Sequence, residues 1–427
     1  MFKLKIKEAK ICVIGLGYIG LPLYTELSKN FDTFGYDINK KRISELKKCY
    51  DRNNQISKRQ LNKIKKNIFF KKNELFKSVN TFIITVPTPI YKNKKPNLGM
   101  LIESSKFVGK ILSKGSIIIF ESTVYPGVVE NICVPVLENF SQLKFNRDFF
   151  CGYSPERINP GDNLNTIKKV NKIISASDKS CLKYMKSLYG SFLESKIHIA
   201  DSIKIAEASK VIENAQRDIN IAFINEITII FDKMKLDTNK ILKAARTKWN
   251  FLDFKPGLVG GHCIGVDPYY LSYVSSKNGY IPKIINSGRQ INDHMGKFIC
   301  KKINRNINKK KINIKNSNIL FLGLTFKENC PDIRNSKVFG MIDYYKTKVN
   351  KIHISDPLLN KKDLNSNYSK YFIKNPKKNF YDVVIVSVAH KFYKSLVLEN
   401  FQTFCKKTYI IFDVKNILED DINVLKL

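Results

Sequence analysis

Short apolar runs alternate with longer amphipathic stretches along most of the chain, a pattern that predicts strands separated by helices. Residues 9–15 (AKICVIG) have the β-rich, apolar character of a strand buried on both faces. The turn GLGYIG follows, then helical periodicity over 21–30 and a second strand over 33–36. Further strands are expected at 81–86, 116–120, 149–153 and 172–176. Polar, proline-bearing loops leave three of them: PTP at 87–89, ESTVYPG at 121–127 and SPERINPG at 154–161. In an open parallel sheet, ligands lie beyond the carboxyl ends of the strands, where these loops emerge.

From 201 to 236 the period becomes 3.6, with no Gly or Pro in the stretch. One continuous helix there would run about 54 Å at about 1.5 Å per residue, and must join two lobes or pack on a second copy of itself. Helical pattern resumes over 280–302, and the polar stretch 304–315 reads as a connector. A second α/β series follows, with strands at 318–323, 351–355 (ending on Asp356), 382–388 and 409–412. Its first turn, GLTFKEN, lacks the glycine spacing, so this half is expected to hold something other than the ligand of the first.

Strand, glycine turn, helix, strand and acid, in that order, make a dinucleotide-binding unit. Gly15, Gly17 and Gly20 would let backbone approach a pyrophosphate, whose charge the helix N-terminus favours. Asp37, about 20 residues beyond Gly15, can accept from the adenine-ribose hydroxyls and repels a 2′-phosphate, so the expected cofactor is NAD rather than NADP.

At 427 residues and 43% hydrophobic composition the chain should form two or three cored domains. Its apolar runs are too short to span a membrane, and the N-terminus lacks a secretory pattern, so a cytoplasmic protein with no membrane partner is expected. The net charge of +37 invites a nucleic-acid reading. The lysines are scattered among Asn and Ile rather than gathered in one stripe, so nucleic acid is not the expected partner, whereas an anionic small substrate suits the charge. The nine cysteines show no CxxC pair and no metal-ligand spacing, so no metal is expected.

One cysteine stands apart. Cys263 lies in GLVGGHCIGVDPYYL, where Gly260 and Gly261 would remove side chains so that a substrate carbon can approach. A thiol near an NAD site suggests oxidation through a thiohemiacetal to a thioester, then hydrolysis to an acid. On the long helix, Glu207, Lys210, Asn214 and Arg217 share one face at spacings of 3, 4 and 3. A solvated salt-bridged stripe is one reading of them. Flanking Ile203, Ile205, Val211, Ile212, Ile219 and Ile221 favour the other, a buried helix whose cations need an anionic or hydroxyl-rich partner. Glu156 could activate water, or simply pair with Arg157.

These motifs, with FKENCPDIRNSK and DVKN, resemble in register the UDP-glucose/GDP-mannose dehydrogenase family over nearly the whole chain. The SPERINPG and ENAQRD variants look most like its UDP-N-acetylhexosamine branch, which serves surface polysaccharides. The resemblance implies an α/β fold: two Rossmann-like, doubly wound parallel-sheet domains joined by a long central helix and a helical middle domain. The expected boundaries are 1–200 for NAD, 201–303 for the helical, dimerising and cysteine-bearing part, and 304–427 for the UDP-sugar. It implies a homodimer or higher homo-oligomer and a four-electron oxidation of sugar carbon 6 by two NAD+, most consistent with UDP-N-acetyl-D-glucosamine. Cys263 would be the nucleophile, Lys210 would steady the alkoxide and oxyanion, and Asn214 and Asp267 would handle protons and water. Thr123 would hold a water, and Glu156 would be the base for hydrolysis. Cofactor contacts would be Gly15, Gly17, Tyr18, Ile19, Gly20, Asp37, Arg42, Thr88, Thr123 and Arg334. Substrate contacts would be Glu156, Arg157, Lys210, Asn214, Arg217, Gly260, Phe326, Lys327 and Lys415. Arg246 departs from a glycine common in the family, which leaves the role of 246–254 open.

UDP-N-acetylgalactosamine, UDP-N-acetylmannosamine and UDP-glucose are alternative substrates. A two-electron β-hydroxyacid-type dehydrogenase would need neither the cysteine nor the last domain. A basic nucleic-acid-binding protein is the alternative from a different class.

Overall fold

The computed structural model describes residues 2–71, 74–158 and 166–427, so the Asn159–Pro160–Gly161 end of the SPERINPG loop lies outside the described residues. The chain forms two compact units: Met1–Glu213 with Tyr269–Tyr280, and Asn214–Pro268 with Ile281–Leu427.

The first unit is built on eight strands, β1 (Lys10–Ile14), β2 (Asp32–Tyr36), β3 (Ile68–Phe69), β4 (Thr81–Ile84), β5 (Ser116–Phe120), β6 (Phe149–Tyr153), β7 (Lys172–Ala176) and β8 (Ile197–Ile199). Their spatial order is β3-β2-β1-β4-β5-β6-β7-β8. All neighbours run parallel except β6 and β7, which pair antiparallel through Gly152↔Ala176 and Tyr153↔Ser175. An antiparallel return needs no crossover helix. Helix α1 (Gly20–Leu27) is buried along its whole length, and its Leu21, Leu23 and Leu27 pack with Ile11 and Val13 of β1 and Ile117 and Ile119 of β5.

The second unit carries an all-parallel sheet of β9 (Asn318–Leu322), β10 (Lys351–Ser355), β11 (Tyr381–Val386), β12 (Cys405–Asp413) and β13 (Val424–Lys426), in the order β10-β9-β11-β12-β13. Successive side chains serve opposite faces. Ile319, Phe321, Val383 and Ile385 join one core, and Leu320, Leu322, Val384 and Val386 join the other. A sheet buried on both faces explains why these strands read as continuous apolar runs.

Helix α2 (Ile203–Met234) fulfils the long-helix expectation. Helix α4 (Lys283–Lys309, after α3 at Asp267–Lys277) does not stop where the connector was expected. Met295, Ile299, Ile303 and Ile307 recur every four residues and are fully buried against the second sheet, each Ile gaining about 1.5–3 kcal/mol from burial. That stripe outweighs the polar residues between and carries the helix through 304–309. The strands at 197–199 and 424–426 gave no sequence signal, being three-residue edge strands without a buried face.

A buried polar cluster ties α2 to α4. Arg289 Nη1 donates to Asp218 Oδ1 at 2.5 Å, Asn292 donates to the same oxygen at 2.7 Å, and Asn225 bonds Asn292 at 2.8 Å. Asn225 also brackets Gly257, accepting its N–H at 2.8 Å and donating to its carbonyl at 3.0 Å. The start of the cysteine loop is therefore fixed from beneath. Arg289→Met would strand the Asp218 carboxylate and lower stability by about 3–5 kcal/mol, whereas Asp218→Leu combined with Arg289→Met should restore most of it. Urea unfolding of both variants checks this, and equal losses would contradict it.

Candidate functional site

In the first unit the glycine turn is as tight as its spacing implied. A Cβ on Gly20 would lie 1.8 Å from the Gly15 carbonyl and 2.3 Å from Thr85 Oγ1, whereas one on Gly17 would meet nothing within 4 Å. The cradle is thus closed behind and open in front, which fits a pyrophosphate at the N-terminus of α1. Asp37 braces it, its Oδ2 accepting from Leu16 N and its Oδ1 from Asn39 N, both at 2.8 Å. Arg42 sits beneath the turn, donating to the Leu16 carbonyl at 2.8 Å and pairing with Asp51 at 2.7 Å. In this arrangement it supports the cradle rather than lining it. Tyr18 and Ile19 are half-buried on the turn, and Thr88 Oγ1 donates to the Thr123 carbonyl at 2.6 Å, sewing the loops after β4 and β5 together.

A second carboxylate holds the Thr123 loop. Glu207 on α2, fully buried, accepts from Gly127 N at 2.5 Å and Val129 N at 2.9 Å. The sequence had put Glu207 on the polar stripe without a job, because its partners lie about 80 residues away. Burial pushes its carboxyl up to about 7, although the two backbone donors pull the other way.

Glu156 is also buried. Its Oε1 accepts from Arg157 N (2.7 Å) and Ile158 N (2.8 Å), and its Oε2 pairs with Lys172 at 2.9 Å. Lys172 equally meets Glu121 Oε2 at 2.9 Å, and Tyr189 OH donates to Glu121 Oε1 at 2.5 Å. Burial drives the Glu121 carboxyl up. The same burial opposes ionised Glu156, but Lys172 and the two backbone N–H groups outweigh it and hold that carboxyl below the usual range. Arg157 does not pair with Glu156 through its side chain; it binds Glu213 at 2.8 Å and the Asn171 carbonyl at 3.0 Å.

Among the described residues the buried lysines and arginines are Arg42, Lys172, Lys210 and Arg289. Three face carboxylates, namely Asp51, Glu121 with Glu156, and Asp218. Lys210, 8% exposed, has no hydrogen-bond or ion-pair partner among the described residues. Its ammonium, not held by a carboxylate of the chain, is available to an anionic or hydroxyl-rich ligand. Elsewhere on α2 the expected burial fails: Arg217 is exposed, as are Ile205 and Ile212.

In the second unit, Asn214 Nδ2 donates to Asp267 Oδ2 at 2.5 Å, joining two of the expected site residues. The half-buried Cys263 accepts through its carbonyl from Val266 N (2.9 Å) and Asp267 N (2.8 Å), so the thiol rides on the turn that opens α3. The glycines before it also serve packing. A Cβ on Gly260 would lie 2.8 Å from the Asn335 carbonyl, and Gly261 (φ +82°) would place one 2.7 Å from the Phe326 ring. The cleared space is filled by the protein's own Phe326 and Asn335, which seat the loop. Asn335 also donates to the Gly261 carbonyl at 3.1 Å, and Arg334 is engaged with Asp332 at 2.6 Å.

Gly260, Phe326, Lys327 and Lys415 line one shallow cleft at the carboxyl ends of β9, β11 and β12, together with Lys337 and Ser387. Lys337, the last residue of the FKENCPDIRNSK motif, was not singled out as a site residue from the sequence. Burial pushes the Lys415 ammonium below the usual lysine range, with Lys394 and Lys255 adding to the shift and Glu328 opposing it. An anion in the cleft would relieve these lysines.

Residues 9–193 match the NAD binding domain, 204–294 the central domain and 320–420 the UDP binding domain of the UDP-glucose/GDP-mannose dehydrogenase family. The chain belongs to that family. It is an NAD-dependent nucleotide-sugar dehydrogenase. It is 44% identical to the UDP-N-acetyl-D-glucosamine 6-dehydrogenase of Pseudomonas aeruginosa, over 99% of this chain and 100% of the relative. It is 45% identical to CapL of Staphylococcus aureus, over 97% of each. Among solved structures, a UDP-D-ManNAc dehydrogenase from Pyrococcus horikoshii aligns with a TM-score of 0.85 at 27% identity, over 97% of this chain and 98% of the other. No helix among the described residues is long and apolar enough to cross a membrane.

The Glu207 environment yields a pH signature. Because its folded-state value, about 7, exceeds the ordinary 4.5, the native state holds an extra proton between those limits. Stability from this group is therefore lost as pH rises through that window, by about 1.4 kcal/mol per unit. Glu207→Gln removes the dependence. Its stability relative to wild type should improve by about 2 kcal/mol between pH 5.5 and pH 8 in denaturant titrations, and parallel pH curves would refute the assignment.

Proposed function

We propose that this enzyme oxidises carbon 6 of UDP-N-acetyl-D-glucosamine to the uronic acid, supplying surface-polysaccharide synthesis from the cytoplasm. The carrying observation is the lysine-lined cleft of the UDP binding domain, whose wall includes Gly260, three residues before Cys263 in the same loop. A thiol that close in sequence to a nucleotide cleft is suited to reach the sugar of the bound nucleotide. The 44% identity to the P. aeruginosa enzyme, against 27% to the UDP-D-ManNAc enzyme, favours the gluco-configured amino sugar.

Bound NAD+ supplies the hydride acceptor, used twice per sugar. The alcohol loses a hydride and a proton to give the aldehyde, and the Cys263 thiolate adds to it as a thiohemiacetal. Loss of a second hydride leaves a thioester, which water cleaves to the acid and the free thiol. Lys210, lacking a partner of its own, stabilises the alkoxide and the oxyanions, the largest electrostatic contribution. Asn214 and Asp267, already bonded to each other, orient water, and Thr123 holds another. Glu156 is the base for thioester cleavage. When it takes a proton, Lys172 keeps a carboxylate partner in Glu121, so no unpaired charge is left behind.

A second copy is proposed along α2, where Phe223, Ile230 and Met234, seven and four residues apart, leave an apolar line 43–58% exposed.

Wild type should form two NADH per UDP-N-acetylglucosamine, more efficiently than with the galacto or manno epimers or UDP-glucose. Cys263→Ser should make no acid; normal turnover in that variant rules the mechanism out. Glu156→Gln should release a burst of two NADH per site and then stall, with the sugar found on Cys263 by intact mass. Light scattering should give a dimer or larger oligomer that Ile230→Glu dissociates; a monomeric wild type would contradict the apolar line's role.

A further inference from the structure

The cleft of the second unit is shaped by a turn, residues 325–330, that carries Thr325, Phe326 and Lys327 into its wall. One buried side chain holds that turn without lining the cleft. His390, 1% exposed, follows β11. Its Nδ1 lies 3.0 Å from the backbone N of Asn329, and its Nε2 lies 3.2 Å from both Asp356 Oδ2 and Thr325 Oγ1. A backbone N–H can only donate, so Nδ1 accepts and the ring is neutral with its proton on Nε2. The Thr325 hydroxyl donates to the Lys327 carbonyl at 2.8 Å, leaving its lone pairs to receive that proton together with Asp356. Asn329 sits at φ +57°, and its side chain accepts from Lys391 N at 2.9 Å, so the far end of the turn is clamped from both sides of the ring. The near end presses the Phe326 ring against Gly261 and edge-on to His262 at 5.8 Å, next to Cys263.

We propose that His390 is a positioning residue for the nucleotide cleft: its imidazole fixes the 325–330 turn and so presents Phe326 and Lys327 to a nucleoside diphosphate it never touches. This rests on the reading that the cleft takes the UDP moiety. An unfastened turn leaves the half-buried Asn329 N–H without its acceptor, and the ligand must then order the turn itself.

Calorimetric titration of UDP into the full-length enzyme tests it. His390→Asn can place an amide oxygen where Nδ1 stood and should hold the UDP Kd within about threefold. His390→Gln extends its amide towards the Nε2 end, loses the Asn329 acceptor, and should weaken UDP about tenfold while leaving NAD binding unchanged. UDP binding by the Gln variant as tight as wild type, or an Asn variant as weak as the Gln variant, overturns the proposal while the functional reading stands. A wild type that fails to bind UDP overturns the functional reading and this proposal with it. Should His390→Gln not fold, hydrogen exchange of the wild type decides. The Asn329 amide should be protected before UDP is added, and rapid exchange there overturns the proposal.

Discussion

Loops at the ends of parallel strands expose backbone N–H groups that no ladder can satisfy, and this protein meets several such demands with a carboxylate, most of them buried. Asp37 takes the amides of residues 16 and 39, Glu156 those of 157 and 158, and Glu207 those of 127 and 129. Asp356 takes those of 324 and 358, and Asp413 those of 415, 417 and 418. Charge-assisted bonds of this kind are roughly twice as strong as neutral ones, which suits loops that must be rigid yet carry the binding residues. The sheets set where a ligand can lie, and these acids set what it meets.

That use of acids reframes the charge of the chain. With 74 basic and 37 acidic residues, the sequence already looks strongly cationic. Many of the acids, among them Glu121, Glu156, Glu207, Asp218, Asp267, Asp356 and Asp413, are buried. The surface is therefore richer in lysine than the net charge suggests, and the excess reflects where the acids are spent rather than a nucleic-acid stripe. Against this background Lys210 is informative, because it is the buried cation to which no carboxylate has been assigned among the described residues.

Strands were legible because sheets covered on both faces make short continuous apolar runs, as at Ser116–Phe120 and Phe149–Tyr153, where the sequence and the fold agree to the residue. The end of α4 was not legible, since a four-residue stripe of isoleucine is easily lost among lysine and asparagine. The glycine turn of the first unit was read correctly because its clash is local, between Gly20 and Gly15. The packing neighbours of Gly260 and Gly261 were not legible because they are distant: Phe326 and Asn335 lie more than 60 residues on. The same distance hid the partners of Glu207, and the sequence left Glu156 open between activating water and pairing with Arg157. Sequence shows which side chains are chemically able; long-range bonds decide which are occupied.

The two sheets, each taken alone, solve one problem by opposite means. In both, an acid at the end of the second strand accepts from the turn after the first: Asp37 from Leu16 N, Asp356 from Leu324 N. In the first unit the turn is made close and rigid by deleting side chains, so that Gly20 can lie against Gly15. In the second only the first glycine, Gly323, is kept, and an imidazole is inserted to occupy the acid and fasten Asn329. A glycine cradle presents bare amides, which suits a pyrophosphate lying along backbone. A turn braced by a side chain can instead project Phe326 and Lys327, which suits a nucleotide recognised by stacking and charge. The difference between GLGYIG and GLTFKEN is thus a difference in what each turn offers a ligand, main chain in one sheet and side chains in the other.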